Sequence, residues 1–132
     1  HVGGDGGHAH HHLGGDAQAV PQPPFCGIDW YADYDARHGG DGASGRLVSQ
    51  HRFTQSWDSW EMHPAGDEVV LLLSGEAVLH QELADGATTQ VRLVAGEYAV
   101  NPPGVWHTMD LVSDEASALF ITVGLGTEHR PR

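Results

Sequence analysis

Two short segments, well separated in the chain, place imidazole and carboxylate groups beside tight turns. The first runs Glu61-Met62-His63-Pro64-Ala65-Gly66-Asp67-Glu68 and is closed by Gly75. The second runs Gly96-Glu97-Tyr98-Ala99-Val100-Asn101-Pro102-Pro103-Gly104-Val105-Trp106-His107. Two such hairpins facing each other across a small barrel would bring His63, Glu68 and His107 to one point. Two imidazoles and a carboxylate with positions left open form a common ligand set for a divalent transition metal, whether iron, manganese, zinc or nickel. The alternative is a metal-free pocket in which His63 and His107 are simply hydrogen-bonded.

Glu61 is two residues before His63, and alternation along a strand turns both side chains to the same face. Three roles are open to it. As a fourth ligand it would make a set of two imidazoles and two carboxylates, which favours harder ions such as Mn²⁺ or Fe²⁺. As a catalytic general base it would stay off the metal with its pKa raised by burial. Otherwise it is a solvated residue at the barrel rim. The Pro102-Pro103-Gly104 turn aims His107, because proline fixes φ and glycine permits the bend. Tyr98, Val100 and Met109 are the candidates for substrate-binding walls, Met109 because it shares a face with His107 two residues earlier. Trp60 and Trp106 each neighbour a site residue and by alternation face away from it. His51 and His80 read as hydrogen-bonded barrel histidines, His129 as a surface or interface residue and Asp67 as a turn residue.

The spacing E-x-H-x4-E-x6-G followed by G-x5-P-x-G-x2-H resembles the two motifs of the cupin superfamily. His63, Glu68, Gly75, Gly96, Pro102, Gly104 and His107 match. Two positions depart from the pattern: Glu61 stands where the first motif usually has a His, and Leu111 where the second usually has an Asn. The resemblance covers roughly residues 46–124 and is specific for fold. It is much less so for function, since one barrel hosts many chemistries. It implies an all-β double-stranded barrel of the jelly-roll type.

The segments around the motifs agree with that fold. From residue 46 the chain becomes short β-runs separated by turn signals: 47–53, 57–62, 69–73, 76–83, 88–94, 98–101, 106–112 and 116–123. Asp85-Gly86 suits a tight hairpin turn. No helix and no internal repeat is evident. Three parts result: 1–24, a flexible Gly/His/Pro-rich segment or the remnant of an appended tag; 25–45, an arm; and 46–132, the barrel. The first holds six of the eighteen Gly and five of the eleven His, a composition that cannot bury a core. His10, His11 and His12 within it could chelate a metal, as His-rich tracts can. Trp30, Tyr31 and Tyr34 look exposed, and an arm carrying them could cover a neighbour's sheet in a homodimer.

The totals narrow the chemistry. At 132 residues the chain fits one domain. It carries six Lys+Arg, all of them Arg, against 18 acidic residues, for a net charge of −12. Such a surface repels phosphate backbones, so nucleic acid is not an expected partner. With no Lys, Schiff-base chemistry is excluded and proton transfer falls to His, Glu, Asp or Tyr. The single Cys26 allows no internal disulfide and reads as a packed side chain. No apolar run approaches the length of a membrane helix and no secretory pattern is seen, so a cytoplasmic location is expected.

Two function classes remain. One is a metal-dependent oxygenase or isomerase/lyase acting on a small organic molecule; the other is a non-catalytic small-molecule sensor using the same pocket. Sensors of this type usually carry a helical DNA-binding domain, and none is seen in this chain, which favours the enzyme.

Overall fold

The computed structural model describes residues 6–16, 18–25, 27 and 29–132. Cys26 and its expected packing lie outside the described residues. Among the described residues there are eleven strands: β1 (Gly6–Leu13), β2 (Ala19–Pro21), β3 (Arg46–Phe53), β4 (Ser59–Met62), β5 (Glu68–Ser74), β6 (Glu76–Glu82), β7 (Thr88–Val94), β8 (Tyr98–Asn101), β9 (Trp106–Leu111), β10 (Ala116–Thr122) and β11 (Glu128–Pro131). They form two antiparallel sheets, ordered β2-β1-β3-β10-β5-β8 and β11-β4-β9-β6-β7. This is a jelly-roll β-sandwich, the all-β barrel expected from the turn-punctuated strand pattern.

The core lies between the sheets. One sheet contributes Phe53, Val70, Leu72, Ala116, Ala118 and Phe120; the other contributes Ala77, Leu79, Leu93 and Met109. β10 alternates buried and half-buried residues along its whole length, the period-2 signature of a strand with one face on the core. β5 does the same from Glu68 to Leu72. Their apolar halves fill the sandwich, while their polar ends, Glu68 and Thr122, meet at one end of it.

The N-terminal part departs from the sequence reading in three ways. First, the Gly/His-rich segment does not lie apart from the barrel: β1 pairs with β3 and extends the sheet. Its composition is poor in apolar residues, but the edge of β3 offers backbone partners that composition does not register. Alternation then sends His10 and His12 inward, both buried, and leaves His11 exposed.

Second, there is a helix, α1 (Asp29–His38), followed by a 3₁₀ turn over Gly39–Ser44. Trp30, Tyr31 and Tyr34 sit on one helical face at i, i+1 and i+4. Asp29 at the start and Arg37 and His38 at the end complement the helix dipole. Third, the three aromatics are not exposed. They are buried with Leu47, and Phe25 packs against them; the Trp30 indole N–H donates to the Pro23 carbonyl at 2.9 Å. The arm therefore covers its own barrel, and these rings are not free to cover a neighbour's. Among the described residues no helix is long and apolar enough to cross a membrane.

Candidate metal centre

The end of the sandwich under α1 carries the site. Glu61 lies on β4 directly opposite His107 on β9, and directly opposite pairs in an antiparallel ladder share a face. His63 follows β4, and Glu68 opens β5 after the Pro64–Asp67 turn. One nitrogen or oxygen from each of Glu61, His63, Glu68 and His107 falls in a cluster where all lie within 4.8 Å of one another, and all four residues are buried. The structure thus brings together the four residues that spacing and alternation had paired.

Glu68 is the hub. Its Oε2 lies 3.0 Å from His63 Nε2 and its Oε1 3.1 Å from His107 Nε2. The Thr122 hydroxyl donates to Oε2 at 2.6 Å and the Asn101 amide to Oε1 at 3.1 Å. Gln81 Nε2 donates to Asn101 Oδ1 at 2.8 Å, which fixes the Asn101 amide with its NH₂ toward Glu68. Burial alone would raise the Glu68 pKa, but the two imidazoles beside it hold it below the usual carboxylate range.

The imidazoles are equally constrained. Thr127 Oγ1 donates its one proton to the Gly124 carbonyl at 2.9 Å. It must therefore accept the His63 Nδ1–H at 2.9 Å, leaving a lone pair on His63 Nε2. His107 Nδ1 faces the Val105 carbonyl at 3.4 Å. Both Nε2 atoms are buried and neither makes a hydrogen bond, despite the carboxylate 3 Å away. Buried nitrogens normally have partners. Two such atoms and a carboxylate aimed at one point are what a shared cation would satisfy, with the outer N–H groups oriented as metal-bound histidines usually are.

Glu61 sits slightly farther out. Its Oε2 is 3.7 Å from His107 Nε2 and 4.0 Å from His63 Nε2. Ligands ~2.1 Å from one octahedral ion stand ~3.0 Å apart when adjacent and ~4.2 Å when opposite, so these spacings are compatible with a fourth ligand. Its other oxygen accepts from His129 Nε2 at 2.9 Å. His129 is thus not a surface residue: β11 pairs with β4 and sets it opposite Glu61. Tyr31 of α1 packs against the His129 ring at 5.3 Å. Burial, then the nearby Glu61 and Glu68 carboxylates, push the Tyr31 hydroxyl pKa well above its ordinary value. The sequence assigns no role to Thr122, Thr127 or Asn101, and it places His129 at a surface or interface and Tyr31 on an exposed arm, away from the site. Only Tyr31, in the i, i+1, i+4 aromatic pattern of a helix, carried a local signal.

The pocket walls need correction. β8 pairs with β5 so that Asn101 lies opposite Glu68 and Ala99 opposite Val70. Asn101 and Ala99 therefore face inward, and Tyr98 and Val100 are exposed on the outer face. Met109 shares the inward face with His107 as expected, but it is packed in the core beneath the site and lines no opening. Trp57, also in that core, meets the His107 ring at 6.2 Å in a T-shaped contact. Trp60 and Trp106 do face away, where the Arg130 guanidinium stacks on both. His80 is hydrogen-bonded to Asp110 at 2.7 Å.

The Cupin domain family matches residues 54–124, more than half of the chain. The chain belongs to the cupin family. No curated protein matches this cupin at a significant level. Among solved structures it is similar to Peruvianin-I, a cysteine peptidase from Thevetia peruviana latex: 18% identity and a TM-score of 0.55, covering 63% of the cupin and 54% of that chain. An oxalate oxidase is 19% identical with a TM-score of 0.55, covering 62% and 44%. A deletion mutant of oxalate decarboxylase from Bacillus subtilis is 15% identical with a TM-score of 0.57, covering 65% and 23%. The cupin spans about half of the first of these chains and less of the others. Identities this low establish a common fold and nothing about activity.

One consequence of the geometry is testable by pH. Burial alone would lower the His107 pKa, but the Glu68 and Glu61 carboxylates raise it to about 9. A cation must displace that proton, so affinity for a divalent ion is expected to rise roughly tenfold per pH unit from pH 6.5 to about 9 and then level off. The metal-free protein should show the opposite trend. A raised folded-state pKa contributes stability that is complete below about pH 6.5 and lost as pH rises through 9. Calorimetric titration and thermal melts across this range check both. Affinity that does not change with pH would show that no such proton is released.

Proposed function

We propose that this cupin is a metal-dependent enzyme acting on a small organic molecule, with a divalent ion held by His63, Glu68, His107 and Glu61. The observation that supports this most directly is the pair of buried Nε2 atoms without hydrogen bonds, facing one carboxylate. Such an ion supplies Lewis acidity toward a carbonyl or carboxylate oxygen of the substrate. The chain supplies the rest. Thr122 and Asn101 hold Glu68 in place, His63 and His107 keep it ionised, and Thr127 orients His63. His129 reaches Glu61 from the C-terminal strand. Although burial alone would raise the Glu61 pKa, its contacts with the His107 and His129 imidazoles help to hold that carboxylate ionised, well below the usual range and not raised as a general base would need. The Tyr31 hydroxyl stays protonated at neutral pH and can donate to a substrate oxygen, while α1 above it excludes water. The reaction class is an oxygenase or an isomerase/lyase. Oxalate oxidase and oxalate decarboxylase share the fold, so small carboxylic acids belong among the first substrates to test.

The closed site also suits a second reading, a sensor that holds a small ligand without turning it over. One experiment separates the two. The metal-loaded protein is incubated with small carboxylic and hydroxy acids, while oxygen uptake and the NMR spectra of the acids are followed. Turnover that falls ~10²–10⁴-fold in Glu61→Gln with metal content retained would make Glu61 the proton carrier. A parallel loss of metal would make it a ligand. Tight binding of an acid with no conversion by any metal form would overturn the enzyme reading in favour of the sensor.

A further inference from the structure

A second cluster of ligating side chains lies away from the barrel site, where β1 meets the end of α1. His12 is buried, and its Nε2 lies 2.5 Å from Asp41 Oδ2 in the 3₁₀ turn. Its Nδ1 is 2.6 Å from the Tyr34 hydroxyl. The His38 ring stacks on the His12 ring at 3.9 Å. One nitrogen or oxygen from each of His12, His38 and Asp41 falls within 4.8 Å of the others.

Three further observations show a space shaped for this cluster. A Cβ at Gly45 would meet His12 Cε1 at 2.8 Å, Asp41 Cβ at 3.0 Å and His12 Nε2 at 3.3 Å, so only glycine lets the backbone pass this close. Arg37 donates two hydrogen bonds to Gln22 Oε1. This turns the Gln22 amide NH₂ to His38 Nε2 at 2.8 Å, so His38 Nε2 is an acceptor with a usable lone pair. Gln22 Nε2 also donates to the Val20 carbonyl at 3.1 Å, so releasing His38 would not leave the amide without a partner. Finally, the cluster opens on a cleft of about 450 Å³ that is also lined by Gly14, Asp16, Gln18 and Ser44. Solvent and ions can reach it there.

We propose that His12, His38 and Asp41 form a second metal site, for Zn²⁺ or an ion of similar preference, that pins the N-terminal strand to the helix covering the barrel. Two imidazoles and a carboxylate are ligands that zinc takes readily, with a fourth position open to water from the cleft. Loading requires two small movements. The His12–Asp41 contact opens from 2.5 Å toward the ~3.3 Å that separates neighbouring ligands of a tetrahedral ion. His38, which is half-exposed, turns from Gln22 to the ion. The Tyr34 hydroxyl on His12 Nδ1 is the outer contact that holds the ring's orientation. The same helix presents Tyr31 to the barrel site and Tyr34 to this one. Zinc here would tie down the element that covers the first centre, and the net charge of −12 raises the local concentration of cations.

The test uses the full chain without any affinity tag, equilibrated with Zn²⁺ and analysed for bound metal. The parent protein should hold two ions and Glu68→Gln one. Asp41→Asn and His38→Gln, both at partly exposed positions, should also hold one. Zinc should raise the Tm of Glu68→Gln by roughly 5 °C or more through this site, and Asp41→Asn added to it should abolish that rise. His11→Ala should change nothing, since His11 points to solvent. Two ions retained in both Asp41→Asn and His38→Gln would overturn the proposal. So would an ion lost in His11→Ala, which would place the metal on the exposed histidine tract, or no zinc in Glu68→Gln. A Glu68→Gln protein that still holds both ions would instead count against the barrel site alone.

Discussion

Glu68→Gln is expected to weaken divalent-metal binding at the barrel site by more than ~100-fold, beyond the 10–100-fold that a lost outer contact typically costs. The charge is removed from a carboxylate that lies within 3.1 Å of both imidazole Nε2 atoms. The surroundings are equally hostile to the amide. Both carboxylate oxygens accept hydrogen bonds, one from Thr122 and one from Asn101. A glutamine must turn its NH₂ toward one of these donors, and Gln81 opposes a compensating flip of Asn101. Calorimetric titration with Mn²⁺ and elemental analysis provide the measurement. Affinity and stoichiometry equal to the parent's would exclude Glu68 as a ligand.

Gly75→Ala is expected to be the most damaging single-methyl change in the barrel, at about 3 kcal/mol or more of lost stability and a Tm lower by roughly 10 °C. Gly75 turns the chain from β5 into β6 with φ +83°, a conformation side chains rarely adopt. A Cβ there would stand 2.3 Å from the Glu115 carbonyl oxygen and 2.9 Å from Ala116 Cα. Both are backbone atoms at the start of β10, so the clash cannot be relieved by a rotamer change. Gly86 is the matched control: its φ is +82°, but nothing lies within 4 Å of its added Cβ. Gly86→Ala should therefore cost only the ~1–2 kcal/mol of the left-handed conformation. Equal melting temperatures for the two variants would show that the β5–β6 corner yields and that the close approach is not structural.

Residue order alone was enough to define the barrel and to single out four residues that the structure gathers at one end of it. Turn residues at Gly75, Asp85-Gly86, Gly96 and Pro102-Pro103-Gly104 cut the chain at the observed strand ends. The motif spacing singled out His63, Glu68 and His107, and strand alternation added Glu61. Each motif taken by itself is a local relation, expressed within one strand or one hairpin. What lies beyond them is decided by pairing. Alternation states which side chains share a face but not which face is inward. The ladder between β5 and β8, with Asn101 set opposite Glu68, turns Tyr98 and Val100 outward. His129 reaches Glu61 only because β11 pairs with β4. His12 and Asp41, well apart in the chain, meet because the edge of β3 captures a segment whose composition argued against order. The burial of Trp30, Tyr31 and Tyr34 follows from the same capture, which sets Trp30 against His10 and Tyr34 against His12. Backbone hydrogen bonds to a sheet edge are indifferent to side-chain identity, so their partners become legible only when the tertiary structure brings the edges together.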